Sequence, residues 1–151
     1  MLTLPILYLS RYIIKHKSAY YRLLREMTAT DDWEEWVNFI LRGVEETAKW
    51  TLKKIAGMRR LQQATVEHAR QGAPKVYTRE LIDLVFELPY CRIQNLIERG
   101  IAKRQTASVF LKELARIGVL EEKLVGREKL FINPRLMKLL TRDSGEFSGY
   151  R

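Results

Sequence analysis

Apolar residues recur at helical spacing through one long stretch in the first half of the chain. They stand three or four positions apart for about seven turns, so they fall on one face of a helix. The set is Trp33, Trp36, Val37, Ile40, Val44, Ala48, Thr51, Leu52, Ile55 and Met58. Asp31, followed three positions later by Glu34, resembles a capping box. The pattern predicts one long helix over about residues 31–70.

A shorter apolar stretch opens the chain, MLTLPILYLSRYIIKHKSAYYRLL. Pro5 suits the first turn of a helix, and Ser18 can cap a second helix after a polar break. The apolar run from Leu2 to the first charge at Arg11 is nine residues long, whereas a membrane span needs about 20. Its basic residues follow the apolar run, which is the reverse of a secretory signal. We therefore expect core helices here, and no membrane partner.

The pattern changes after Gln71-Gly72-Ala73-Pro74, which is typical of a domain boundary. The predicted elements beyond it are helices over about 78–88, 92–98 and 104–117, short strands over 119–125 and 129–132, and a last helix from Asn133. This order predicts a mainly α fold in which residues 1–72 contain the long helix. Residues 76–142 form a winged helix-turn-helix with a small two-stranded wing, and residues 143–151 form a flexible tail.

Composition narrows the choice of partner and compartment. The chain has 151 residues, 27 Lys and Arg against 18 Asp and Glu, and a formal net charge of +9, which favours acidic partners. That charge is spread evenly, with twelve basic and eight acidic residues before Gln71 and fifteen and ten from there on. Cys91 is the only cysteine, so an intrachain disulfide is impossible and a reducing cytoplasm is the simplest compartment.

The phrase TASVFLKELARIGVLEEKLVGREKLFINP resembles the third helix and wing of winged-helix proteins, in which L-x-x-L-x-x-x-G-h-L leads into the first wing strand. Seven side chains stand where such proteins contact DNA or a partner. They are Lys103, Arg104, Gln105, Ser108, Lys112, Arg116 and Arg127. Because acidic residues are interspersed and the charge is not concentrated here, we favour a protein-docking role. A DNA-binding regulator with a helical dimerisation arm stays as the alternative.

Two segments of the first half, LPILYLSRYIIKHKSAYYRLL and DDWEEWVNFILRGVEETA, resemble the C-terminal part of the Fic domain of bacterial Fic proteins. The matching positions include an L-P-x-L-Y-L-S-x-Y-I helix, a Y-Y-x-x-L helix and a D-W-x-x-W-h-x-F-h-L-x-x-V-x-x-T-A helix. Many Fic proteins of this type carry a winged helix after that long helix. The resemblance therefore covers nearly the whole chain.

The resemblance implies an enzyme that transfers AMP from ATP to a hydroxyl side chain of a target protein. Its chemistry belongs to an H-P-F-x-[D/E]-G-N-G-R motif, and that motif is absent here. We expect no catalytic, cofactor-binding or metal-binding residues in this chain, and ATP and Mg only in the intact enzyme. The expected role is a non-catalytic C-terminal scaffold with a docking or regulatory module, bound to a target protein or to a second copy. A product with no function of its own is a further alternative.

Taken as an interior piece just past the active site, the opening helix is expected to expose its apolar face. Trp33 and Trp36 are expected to anchor the long helix. His16 is predicted to be a solvated loop histidine, since it lies in a Lys-rich break. His68 has no second ligand at metal-binding spacing, and Cys91 lacks the histidine that a nucleophilic thiol needs. We interpret both as structural residues.

Overall fold

The computed structural model describes residues 8–126, 128–142 and 146–150. Its elements follow the chain in a simple order. They are α1 (Leu9–Lys15), α2 (Lys17–Thr30), α3 (Glu34–Gly72), α4 (Arg79–Glu87), β1 (Tyr90–Cys91), α5 (Ile93–Glu98), α6 (Arg104–Arg116), β2 (Glu121–Val125), β3 (Glu128–Ile132) and α7 (Pro134–Thr141). The fold is mainly helical, with one long helix, as predicted.

The chain divides into two compact units, residues 1–53 and residues 54–151, so the division falls inside α3. The domain boundary predicted between residues 72 and 76 stays a prediction. In the first unit, α1 and α2 pack on the beginning of α3 around Tyr12, Leu23 and Phe39. Aromatic rings supply much of this small core, with the rings of Tyr12 and Phe39 5.1 Å apart. Ring pairs at this separation stabilise beyond their buried area.

Gly43 allows α1 to approach α3 closely. A Cβ atom at this position would lie 2.6 Å from Cδ1 of Tyr12 and 2.9 Å from Cδ1 of Leu9. Real carbon atoms do not approach so closely without displacement, so any side chain here would push α1 away.

The second unit is built around one larger core. Fully buried side chains from α4, α5, α6 and β3 meet in this core, among them Leu81, Leu96, Leu111, Leu114 and Phe131. The last turns of α3 contribute Val66 and Ala69 to the same core. A separate cluster of Leu61, Leu136 and Leu139 joins α3 to α7.

The sheet differs from the prediction, because it has three strands and not two. All its pairings are antiparallel, in the order β1-β3-β2. Tyr90 and Cys91 of β1 face Ile132 and Phe131 of β3. A strand of only two residues leaves no alternating pattern in the sequence, so the periodicity that predicted β2 and β3 could not reveal it.

Two predicted helix beginnings need correction, and two others are confirmed. Asp31 does not form the expected capping box; it takes the left-handed conformation (φ 55°) that ends α2, and Asp32 Oδ1 instead accepts from the Glu34 N–H at 3.0 Å. The second helix begins at Lys17, with His16 and not Ser18 at its N-cap position. The helix beginnings predicted at Thr78 and Asn133 are confirmed, and the structure shows that both side chains cap their helices by accepting from N–H groups in the first turns of α4 and α7.

Candidate docking and nucleic-acid interface

Helix α6 presents a polar stripe opposite its buried side. Ala107, Leu111 and Leu114 are buried in the core, so the residues at intervening positions face outward. The exposed stripe consists of Gln105, Val109, Lys112 and Arg116, with Lys103 and Arg104 exposed at the start of the helix. Ser108 is half-buried. Arg127 lies outside the described residues.

Of the predicted contact residues on α6, Arg116 has an internal role. Its Nε donates to Glu113 at 2.8 Å and its Nη2 donates to the Gly72 carbonyl at 2.8 Å. The guanidinium therefore ties the end of α6 to the end of α3. Lys103, Arg104 and Lys112 form no ion pair within the described part of the chain. Their charges remain available to an acidic ligand.

The acidic residues among these cations are largely neutralised. Glu113 pairs with Arg116 at 2.8 Å, Glu122 with Lys129 at 2.5 Å, and Glu128 with Arg92 at 3.2 Å. Counting charges along the sequence treated these carboxylates as opposing the basic side chains of α6. Three of the four carboxylates in this region have cationic partners, so Glu121 is the one without a partner among the described residues. The unpaired cations of the same described segment around α6 and β2 outnumber it.

Apolar side chains are exposed on the same two elements. Val109, in the middle of the α6 stripe, is 54% exposed, and Leu124 and Val125 at the end of β2 are 72% and 60% exposed. Helical spacing in the sequence already places Val109 on the outward side of α6, whereas the exposure of Leu124 and Val125 was not predicted. A surface that combines free cations with apolar side chains suits contact with a protein as well as with a nucleic acid.

The first unit carries an apolar surface of its own on α3. Val37, Leu41 and Leu52 of α3 stand at helical spacing with Trp33, which directly precedes the helix, and Leu41 and Leu52 are 59% and 65% exposed. The expectation that Trp33 anchors the long helix is wrong: its ring is exposed, and its indole N–H donates to Asp31 Oδ1 at 3.0 Å. Trp36 does pack against the aromatic core of this unit.

The exposure expected of the opening helix is found on only part of α1. Ile14 is exposed, whereas Tyr12 is buried against Phe39 and Gly43. His16 is not the solvated histidine expected from its Lys-rich surroundings: its ring packs 4.5 Å from the ring of Tyr12, and its Nε2 atom is buried.

The remaining candidate residues have structural surroundings. His68 Nε2 lies 2.7 Å from the Ile117 carbonyl oxygen, close enough to donate a hydrogen bond to it. Burial raises the pKa of the Cys91 thiol to about 12, so the thiol is protonated and unreactive at neutral pH. Among the described residues, His, Cys, Asp and Glu side chains form no group of three or more that could hold a metal ion.

A cleft of about 580 Å³ lies beside α4. Glu80, Asp83 and Glu87 contribute carboxylates to its lining. Arg99 also lines it, but both carboxylate oxygens of Glu87 accept from this guanidinium at 2.6 Å. Asp83 in turn pairs with Arg79 at 3.0 Å, so Glu80 is the one lining carboxylate without an ion pair among the described residues, and the cleft carries no concentrated charge of either sign.

These elements define a mainly helical protein whose long helix leads into a helical unit with a small three-stranded antiparallel sheet. None of the helices in the described segments is long and apolar enough to cross a bilayer. The family model for the C-terminal domain of SoFic-like protein adenylyltransferases matches residues 61–136, from the last third of α3 to the first turn of α7. The chain therefore belongs to the SoFic-like protein adenylyltransferase family, which confirms the resemblance to Fic proteins.

Proposed function

We propose that this chain is the non-catalytic C-terminal region of a Fic-type protein adenylyltransferase and that it serves as a scaffold and a docking or regulatory module. The family match over residues 61–136 carries this proposal. The sequence holds no H-P-F-x-[D/E]-G-N-G-R motif. In this proposal, ATP, Mg and the transfer of AMP to protein hydroxyls belong to the intact enzyme, which acts in the cytoplasm.

The scaffold role rests on the apolar surface of α3 in the first unit. An amphipathic helix in a folded protein buries its apolar side, yet Trp33, Leu41 and Leu52 are exposed. Exposed apolar side chains in a continuous helical stripe are typical of a protein contact. We assign this stripe as the surface that packs against the catalytic part of the enzyme.

The order α4, β1, α5, α6, β2, β3 and the sheet order β1-β3-β2 support the interpretation of the second unit as a winged helix. In this role the exposed stripe of α6 and the end of β2 contact the target protein or a regulatory partner. The exposed apolar residues Val109 and Leu124 favour a protein ligand over a purely ionic one.

The test of the scaffold role begins with the coding DNA upstream of this sequence, read for an in-frame H-P-F-x-x-G-N-G-R. The encoded catalytic segment is then purified, and its binding to this chain is measured by calorimetry. Leu41→Asp should weaken binding by about tenfold or more, because it places a charge in the apolar contact. Gln63→Asp, an exposed position on the same helix, is the matched control. Equal affinities for the two variants would contradict the scaffold role.

One observation favours DNA binding as a second candidate function. Four cations lack acidic partners in the described part of the chain: Lys103 directly before α6, Arg104 and Lys112 on α6, and Lys123 on β2. Free cations beside a helix that fits a major groove are what a winged helix needs to hold phosphates.

Fluorescence anisotropy with a labelled duplex at several salt concentrations tests this candidate. A DNA-binding role predicts that affinity falls steeply with salt and that Lys112→Ala reduces the salt slope by about one. Lys53→Ala, an exposed lysine of the first unit, should leave the slope unchanged. Affinity that does not depend on salt, or equal slopes for both variants, would exclude it.

A further inference from the structure

The flexible tail over residues 143–151 stays a prediction, and in the structure the aromatic residues of its described part, 146–150, lie against α3 and α7. Phe147 packs against the cluster of Leu61, Leu136 and Leu139, which joins α3 to α7. These three leucines are at most 2% exposed. An aromatic side chain covering such a cluster removes substantial apolar area from water. The groove between α3 and α7 therefore holds the first aromatic residue of the segment.

Tyr150 occupies a second position in the groove, where it contacts His68, Arg135 and Thr65. Its ring stacks on His68, with centroids 4.3 Å apart and an angle of 12° between the planes. The Arg135 guanidinium lies 4.1 Å from the same ring centroid. Because His68 already covers one face of the ring, Arg135 must cover the other. A cation over an aromatic face adds attraction to the apolar contact.

The Tyr150 hydroxyl is also recognised. Its oxygen lies 2.7 Å from Thr65 Oγ1, and Thr65 Oγ1 donates to the Leu61 carbonyl at 2.8 Å. A threonine hydroxyl has one proton, so the Tyr150 O–H donates to Thr65. Burial raises the pKa of Tyr150, which keeps this donor protonated. A phenylalanine at the same place would leave Thr65 without this donor.

The main chain of the segment is held by the same arginine. Arg135 Nε donates to the Ser148 carbonyl at 3.1 Å, while its Nη1 donates to the Gly118 carbonyl at 2.7 Å. The Gly118 contact fixes the guanidinium independently of the segment. The preorganised Arg135 side chain therefore contacts both the backbone of the segment and its second aromatic ring. Preorganisation lowers the entropic cost of binding.

Two aromatic positions and one backbone contact are the elements by which a groove recognises a short peptide. We propose that the groove formed by Leu61, Thr65, His68, Arg135, Leu136 and Leu139 is a binding site for a Phe-x-x-Tyr segment, and that a second copy of this chain supplies that segment by exchange. The chain's own residues 147–150 show the fit directly. Exchange between copies replaces each contact by an identical one, so no new surface has to be complementary. The proposal does not depend on the adenylyltransferase assignment.

The first test uses the full chain with its own segment released, as the double variant Phe147→Ala, Tyr150→Ala. A fluorescein-labelled peptide with the sequence DSGEFSGYR is added, and binding is followed by anisotropy. The peptide should bind saturably to the double variant and at least about tenfold more weakly to the wild-type chain, whose groove is occupied by a tethered competitor. No binding to the double variant, or equal binding to both chains, would overturn the proposal.

Matched peptides and receptors test the chemistry of the site. Replacing the peptide tyrosine by phenylalanine should weaken binding by about fivefold to tenfold, as expected for one buried hydrogen bond. Arg135→Ala in the released background should abolish binding, whereas Lys112→Ala should not change it, and far-UV circular dichroism checks that both remain folded. A scrambled peptide that binds equally would show that the groove does not read the pattern.

Sedimentation of the wild-type chain over a range of concentrations tests the exchange. A dimer that grows with concentration and disappears in the Phe147→Ala, Tyr150→Ala variant is the expected result, because only exchanged segments join the copies. Peptide binding without such a dimer would overturn the assignment of a second copy as the source of the segment.

Discussion

Lys54 is a buried lysine whose ammonium group caps the C-terminal end of helix α7. The residue is 4% exposed, and its Nζ donates to the carbonyls of Leu139 and Arg142 at the end of α7. The last carbonyls of a helix have no partners within it, and a cation at this end also interacts favourably with the helix dipole. Lys54→Met keeps the length of the side chain and removes the charge and all three donors.

Opposing contributions set the size of the effect. Each hydrogen bond to a charged group contributes about 1.5–3 kcal/mol, and the variant loses two of them. The variant also regains part of the several kcal/mol that burying an ammonium ion costs. We expect a net destabilisation of about 2 kcal/mol, which corresponds to a fall in Tm of about 4–8 °C for a chain of this size.

Urea unfolding followed by circular dichroism at 222 nm measures this change, with Lys53→Met as the control. Lys53 precedes Lys54 on α3 but is exposed, so its substitution should change the free energy of unfolding by less than about 0.5 kcal/mol. If Lys54→Met is as stable as the wild-type chain, the desolvation cost equals the gain from the two carbonyls. The helix-ending role would then contribute no stability.

Three other substitutions or modifications test the packing of the two units. Gly43→Ala should lower the free energy of unfolding by about 1 kcal/mol, because the clash with Tyr12 exceeds the gain in helix propensity; an increase in stability would contradict the close approach of α1. Asn133→Ala should cost about 2 kcal/mol in urea unfolding, since it removes the 3.0 Å cap on the Leu136 N–H from a fully buried position. Cys91, with its pKa raised to about 12, should resist iodoacetamide at pH 8 in the folded chain and react in urea. Because its pKa is higher in the folded than in the unfolded chain, the stabilisation that the protonated thiol contributes is complete below the unfolded pKa near 9. That stabilisation is lost as the pH rises toward 12.

Long-range periodicity in the sequence predicted the larger elements, since α3 and α6 each bury one regular side. The beginnings of α4 and α7 were also predictable because they are local, as Thr78 and Asn133 accept from N–H groups only three residues away. The two-residue strand β1 depends on pairing with β3, which lies some 40 positions further along the chain. No local pattern carries that information.

The C-terminal segment likewise makes contacts that its own local sequence does not reveal. Its glycines and serines predict a loose tail, because composition describes only the conformational freedom of the free chain. In the structure Phe147 and Tyr150 lie in a groove formed by leucines of α3 and α7 together with His68 and Arg135. Favourable burial of two aromatic rings outweighs the entropy of five residues only where such a groove exists.

Lys112 and Arg116 illustrate why candidate interface residues needed the structure. Both are basic, both lie on the exposed side of α6, and helical spacing gives them the same expected role. The difference arises from the end of α3, which places the Gly72 carbonyl 2.8 Å from the Arg116 guanidinium, while Lys112 has no ion-pair partner among the described residues. An arginine that satisfies a helix-end carbonyl contributes to the fold, and a lysine beside it with an unpaired charge is available to a ligand. Sequence pattern assigns a side chain to a face of its own helix, but its role depends on what a distant segment brings to that face.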